Sequence, residues 1–156
     1  MIVVAIIGLL AAISAPLYDR YQAKVRQSEA KLALAAIFSS EKSFYVEYSA
    51  YISSMDALHY VPEGGRRFYT VGWQAAMTGT VTGYSGSYLN PSYDSANTPS
   101  IFGCAPAAAK LKLPNPTPTD SQSFTSGAAG EVRVGRGCDV WTIDQDKSLQ
   151  NSESKI

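Results

Sequence analysis

Residues 1–18 carry no charged side chain, and as a helix they would be apolar on every face. Such a helix has to be covered all round, by lipid or by other protein. At 1.5 Å per residue it would reach ~27 Å, just short of the ~30 Å hydrocarbon core of a bilayer. A secretory signal peptide is argued against, because no basic stretch precedes the apolar run. A buried core helix with no polar face would be unusual in a domain this small. The reading is therefore a stable membrane span or a member of a helix bundle. Its candidate contact residues are Met1, Ile2, Val3, Val4, Ile6, Ile7, Leu9, Leu10 and Ile13. Gly8 and Pro16 are weak points in that helix. Proline removes a backbone donor, and glycine costs about 1 kcal/mol relative to alanine. Both are tolerated in membrane helices, as a kink or as a stretch that loses helical form when its surroundings change.

The rest of the 156-residue chain has a different character. Thirteen basic and thirteen acidic side chains cancel, so no net field favours nucleic acid. All of these charges lie after Tyr18, which makes the overall 17% charged content an average of two unlike segments. The two cysteines, Cys104 and Cys138, form an even pair in a chain with a membrane-type start. That suggests one disulfide in an oxidising compartment, the alternative being two unrelated buried thiols. A bond between them would be worth about 3.5–4 kcal/mol by loop-closure entropy. Arg20, Lys24 and Arg26 follow the apolar run and would keep that side in the cytoplasm, which conflicts with an oxidised pair. A basic leader ahead of Met1, since removed, resolves the conflict, so the native subunit is expected to carry residues before Met1.

From Asp19 to Tyr51 there is neither glycine nor proline. Leu34, Ile37, Phe38, Tyr45 and Tyr48 mark one apolar face, interrupted by Glu41, while Lys24, Gln27, Lys31, Ser39, Lys42 and Glu47 are read onto other faces. One helix of ~75 Å would then run from apolar surroundings into water, too long for a compact domain of this size. Residues 53–65 read as a loop, with Pro62 and Gly64-Gly65 as turn signals. Residues 66–77, 124–134 and 139–143 read as strands, and residues 81–89 as a weaker one broken by Gly83 and Gly86. In the last strand Trp141 and Ile143 share one face, Val140 and Thr142 the other. Residues 144–147 should turn towards Leu149, and the proline-rich residues 90–120 read as a loop.

Signals of chemistry are weak. His59 has no partner cysteine, histidine or serine–aspartate pair near it in sequence. Asp144-Gln145-Asp146 fails the calcium-loop pattern, with Leu149 and Lys155 where glycine and glutamate are needed. No phosphate loop, zinc spacing or nucleophile elbow occurs. The reading is a non-enzyme without cofactor or metal.

The run from Met1 to Ile13 with Gly8, followed by Pro16 and Tyr21-Gln22, resembles the N-terminal region of type IV pilins, of the type IVa-like major kind. Ser28-Glu29-Ala30-Lys31 and the aromatic run near Phe44 carry the likeness across roughly the first fifty residues. Residues 139–144 resemble the closing strand of some bacterial pilins. The resemblance implies an α+β fold: an extended helix over residues 1–52, its second half packed on an antiparallel four-stranded sheet. Residues 1–18 would form the membrane and filament core, and residues 53–156 a globular head with a C-terminal disulfide loop. The function implied is a structural subunit of an extracellular pilus, of the adhesion and twitching-motility class. Alternatives are a minor pilin, a secretion-system pseudopilin, or a single-span surface binding domain that never polymerises. Implied partners are further copies of itself, the inner membrane as subunit reservoir, a prepilin peptidase, and an assembly platform with its ATPases. Gly8–Pro16 corresponds to a region that is often non-helical in filaments of the family. Family members begin upstream of the position of Met1 and carry a glutamate there, so the missing residues are expected to include one.

Overall fold

The computed structural model describes residues 1–63, 67–95, 104–118, 121–133 and 135–155. The Gly64-Gly65 turn signal lies outside them. Helix α1 spans Ile2–Tyr48 without a break, Pro16 included. It stops where Ser49 turns left-handed (φ 56°) and its N–H closes on the Tyr45 carbonyl at 2.8 Å, a few residues earlier than the lack of glycine and proline suggested.

Among the described residues a five-stranded antiparallel sheet follows, one strand more than expected, in the order β2-β1-β3-β4-β5. Its strands are β1 (Tyr69–Gly72), β2 (Ser92–Tyr93), β3 (Thr125–Gly130), β4 (Asp139–Asp144) and β5 (Leu149–Glu153). Residues 81–89 are not a strand. The Tyr84 N–H closes a turn on the Val81 carbonyl, and the Tyr88 hydroxyl donates to the Tyr84 carbonyl and accepts from the Val81 N–H. Gly83, at φ +86°, supplies the conformation that this turn needs. The segment read as loop over residues 90–120 holds edge strand β2 and a short helix, α2 (Pro106–Lys110). Prolines permit both, since Pro106 stands at the first helical turn, where no backbone donor is required. The turn after β4 is as expected: the Asp144 carboxylate accepts from the N–H groups of Asp146 and Ser148, and β5 begins at Leu149.

The sheet is covered on both faces. Trp141 and Ile143 of β4, Ala128 of β3 and Tyr69 and Val71 of β1 pack with Leu34, Ile37 and Phe44 of α1. Val140 and Ala129, pointing the other way, pack with Ala109, Leu113 and the two cysteines. The alternation in β4 thus serves two cores, the larger one beneath α1.

Candidate functional site

Residues 1–14 and 16–21 are all exposed. Met1, Ile2, Val3, Val4, Ile6, Ile7, Leu9, Leu10 and Ile13 are each more than half exposed, with Ile2 at 78% and Leu9 at 65%. Nothing lies within 4 Å of where a Gly8 Cβ would be. Among the described residues α1 is the one helix long and apolar enough to cross a membrane, and its most apolar stretch has no burial at all. Such a surface cannot remain in water, because each large apolar side chain gains ~1.5–3 kcal/mol on being covered. The candidate functional site is therefore a surface, and the geometry to explain is how the head holds it.

The second half of α1 is pinned by polar groups as well as by its apolar face. Asp139, fully buried, accepts from Gln27 Nε2 on α1 (3.0 Å), Tyr69 Oη on β1 (2.6 Å) and Trp141 Nε1 (2.7 Å). It also accepts from Asn151 Nδ2 on β5 (3.2 Å) and the backbone N–H of Lys155 (3.3 Å). One carboxylate thus ties the helix, three strands and the C-terminal segment together. Burial, and then the bond to Asp139, push the Tyr69 hydroxyl far above the usual tyrosine range. Glu29 Oε1 accepts the N–H groups of Phe68 (2.8 Å) and Tyr69 (3.2 Å). Its burial raises the carboxyl above the ordinary range in spite of those two donors. Arg26 donates to the Val132 carbonyl at 2.8 Å and lies over the Phe68 ring.

Gln27 consequently does not belong to a solvent face; it is buried against the sheet because Asp139 needs its amide. Lys31 and Lys42 keep to the surface by lying over aromatic rings, Lys31 on Trp141 and Lys42 on Phe38 and Tyr51. Glu41, which breaks the apolar pattern, lies on the buried face nonetheless. Its Oε2 accepts the Ile52 N–H at 3.2 Å and its Oε1 is buried without a partner. Burial pushes this carboxyl well above the usual carboxylate range. None of these anchors was identifiable as such in the sequence, although the mismatch of Glu41 with its apolar neighbours was a visible signal.

Cys104 and Cys138 are joined as a disulfide, with 5.0 Å between Cα atoms. Beneath it the buried Glu131 carboxylate accepts from the Cys104 and Gly135 N–H groups, so the bonded loop is also held from inside. His59 is exposed, with a left-handed backbone (φ 52°) and its Nδ1 3.1 Å from the Ala57 carbonyl.

No family model matches the chain. Over 68 residues it is 46% identical to the type IV major pilin protein PilA of Myxococcus xanthus, a match covering 44% of this chain and 31% of that protein. The likeness to type IV pilins is supported by that relative. It is accompanied by the fold that the likeness implies, an exposed apolar helix continuing into an antiparallel head.

Proposed function

We propose that the chain is a structural subunit that polymerises through α1 into an extracellular type IV pilus filament of the adhesion and motility class. The observation that carries this reading is the exposed, charge-free start of α1, apolar on all sides, which the head leaves bare. Before assembly the inner membrane covers it; afterwards the same residues of neighbouring copies do. Moving from lipid to protein gains little hydrophobic energy, so packing and polar contacts supply the order. A prepilin peptidase and a membrane platform driven by ATPases are the partners that this function requires.

Residues 8–16 change state on this account. Helix is required in lipid, where an unsatisfied backbone group is expensive, and residues 8–16 are helical in the isolated subunit. In the filament, neighbouring chains exclude lipid, and Gly8 and Pro16 allow the stretch between them to unwind.

A head lacking residues 1–16 should be soluble and monomeric. Filaments of native diameter from that truncated chain would refute the proposal. A subunit that stays dispersed in the membrane while displaying its head would instead favour the single-span binding reading.

A further inference from the structure

Cations gather where the head meets the apolar start of its helix: Arg20 and Lys24 on α1, and Arg133, Arg136 and Lys155 on the head. The fold brings the two sets to one end. Strand β3 starts beside Phe124, which packs on Phe38 of α1, and ends at Gly130, paired with Tyr69 at the level of Glu29. It therefore runs back along α1 towards residues 1–18. Arg26 catches the chain as it leaves, donating to the Val132 carbonyl, and a turn closes where the Arg136 N–H meets the Arg133 carbonyl at 3.2 Å. Lys155 arrives beside Gln27, since its N–H and the Gln27 amide share Asp139 Oδ1. Arg20, Lys24 and Arg136 are exposed, Arg133 and Lys155 partly so, and among the described residues none of the five forms an ion pair. The acidic groups nearby face elsewhere. Glu131 and Asp139 are buried among their donors, and Glu29 is turned to the N–H groups of Phe68 and Tyr69. Glu153 is paired with Lys112 at 2.6 Å, and Glu63 shares the groove beside α1 with Arg67. Asp19 is exposed and offsets one cation. A surface presented to this end of the head meets the cations first.

We propose that this basic end of the head rests on anionic phospholipid headgroups of the membrane that holds residues 1–18 before assembly. The proposal rests on the membrane-held state described above and goes beyond it by giving the head a lipid class to recognise. The distances along α1 fit. With Tyr18 at the edge of the hydrocarbon, Arg20 lies ~3 Å and Lys24 ~9 Å further out. Arg26, which marks the level of the Val132 carbonyl, lies ~12 Å out. The headgroup layer fills the first ~5–8 Å beyond the hydrocarbon, and the field of an anionic surface reaches about a further 8 Å at physiological salt. All five cations thus fall in the zone where basic side chains are drawn to such a surface. Their chemistry selects phosphate, because a guanidinium fork matches a pair of phosphate oxygens. The apolar start of α1 places lipid phosphates, rather than those of a soluble polyanion, against them. A zwitterionic lipid offers the same phosphate with its charge cancelled by its own ammonium, so preference for net-anionic lipid is the signature.

The test places the full chain in phosphatidylcholine nanodiscs that hold a minor fraction of spin-labelled phosphatidylglycerol or spin-labelled phosphatidylcholine. The share of each probe immobilised at the protein is then read by electron spin resonance. Phosphatidylglycerol should be preferred about fivefold, and high salt should shrink the preference. Arg133→Gln combined with Arg136→Gln should bring it below about twofold with the disulfide intact, since both side chains reach solvent. Lysine at both positions should keep most of it. Lys155→Gln, on a separate segment, gives an independent reading and should lower it as well. Equal shares of the two probes in the unaltered chain, or a preference that the glutamine variants leave unchanged, would overturn the proposal and leave polymerisation standing. Retention of a short DNA duplex without preference between the lipids would assign the cations to nucleic acid and overturn it too. Failure of the unaltered chain to enter the discs would remove the membrane-held state and this proposal together.

Discussion

Replacing Asp139 by alanine removes the acceptor for five donors at once, three of them on side chains packed at the helix–sheet junction: Gln27, Tyr69 and Trp141. A buried donor left without a partner costs roughly 1–3 kcal/mol, so these three bound the loss at roughly 3–9 kcal/mol. Water entering the space left by the carboxylate would satisfy some of them, and the expected destabilisation is about 4 kcal/mol. That is a large part of the ~5–15 kcal/mol by which an ordinary domain is stable. Tyr69→Phe, which deletes one donor and leaves the acceptor with four, should cost only about 1 kcal/mol. Urea unfolding of the full chain in detergent, followed by the fluorescence of Trp73 and Trp141, measures both. Trp141 donates to Asp139 itself and should report the loss of the junction directly. If Asp139→Ala unfolds within 1 kcal/mol of the unaltered chain, the carboxylate is not the tie between α1 and the sheet.

Two further outcomes follow from the same packing. Glu41 has a folded pKa raised by burial, so its contribution to stability is fully present below the unfolded carboxylate value of about 4.3 and is lost as pH rises through the folded value. Glu41→Gln keeps an acceptor for the Ile52 N–H and cannot ionise; its stability relative to the unaltered chain should improve as pH rises above the unfolded carboxylate value and level off above the folded one, and a difference independent of pH would refute this assignment. Replacing Cys104 and Cys138 together by serine should cost about 3.5–4 kcal/mol, less whatever the Glu131 bonds beneath the loop retain, and an unchanged midpoint in urea would show that the bond constrains nothing.

The features legible in the sequence were those set by local pattern. The charge-free residues 1–18, the long glycine-free continuation, and the alternation of Val140, Trp141, Thr142 and Ile143 each have one structural solution, and the structure adopts it. What pattern could not show was pairing across the chain. Gln27 reads as a surface residue until Asp139, far along the sequence, is seen to need its amide. Strand β2 has only two residues and exists because β1 offers it an edge. Residues 81–89 read as a weak strand broken by Gly83 and Gly86, and the Tyr88 hydroxyl bonds to backbone groups that a neighbouring strand would have used. Glu41 was the one informative exception, a charge in an apolar stripe, and its reason lies in the turn at Ile52 that it holds.

The claim that the apolar half of α1 is an assembly surface is tested most directly by a helical reconstruction, at side-chain resolution, of filaments composed of this chain. Residues 1–18 of successive copies should be bundled at the filament axis, with the heads outside and Ile2, Ile6, Leu9 and Ile13, exposed in the single subunit, enclosed by neighbouring helices. A filament held together by head-to-head contacts alone, with residues 1–18 lying outside the core, would contradict it.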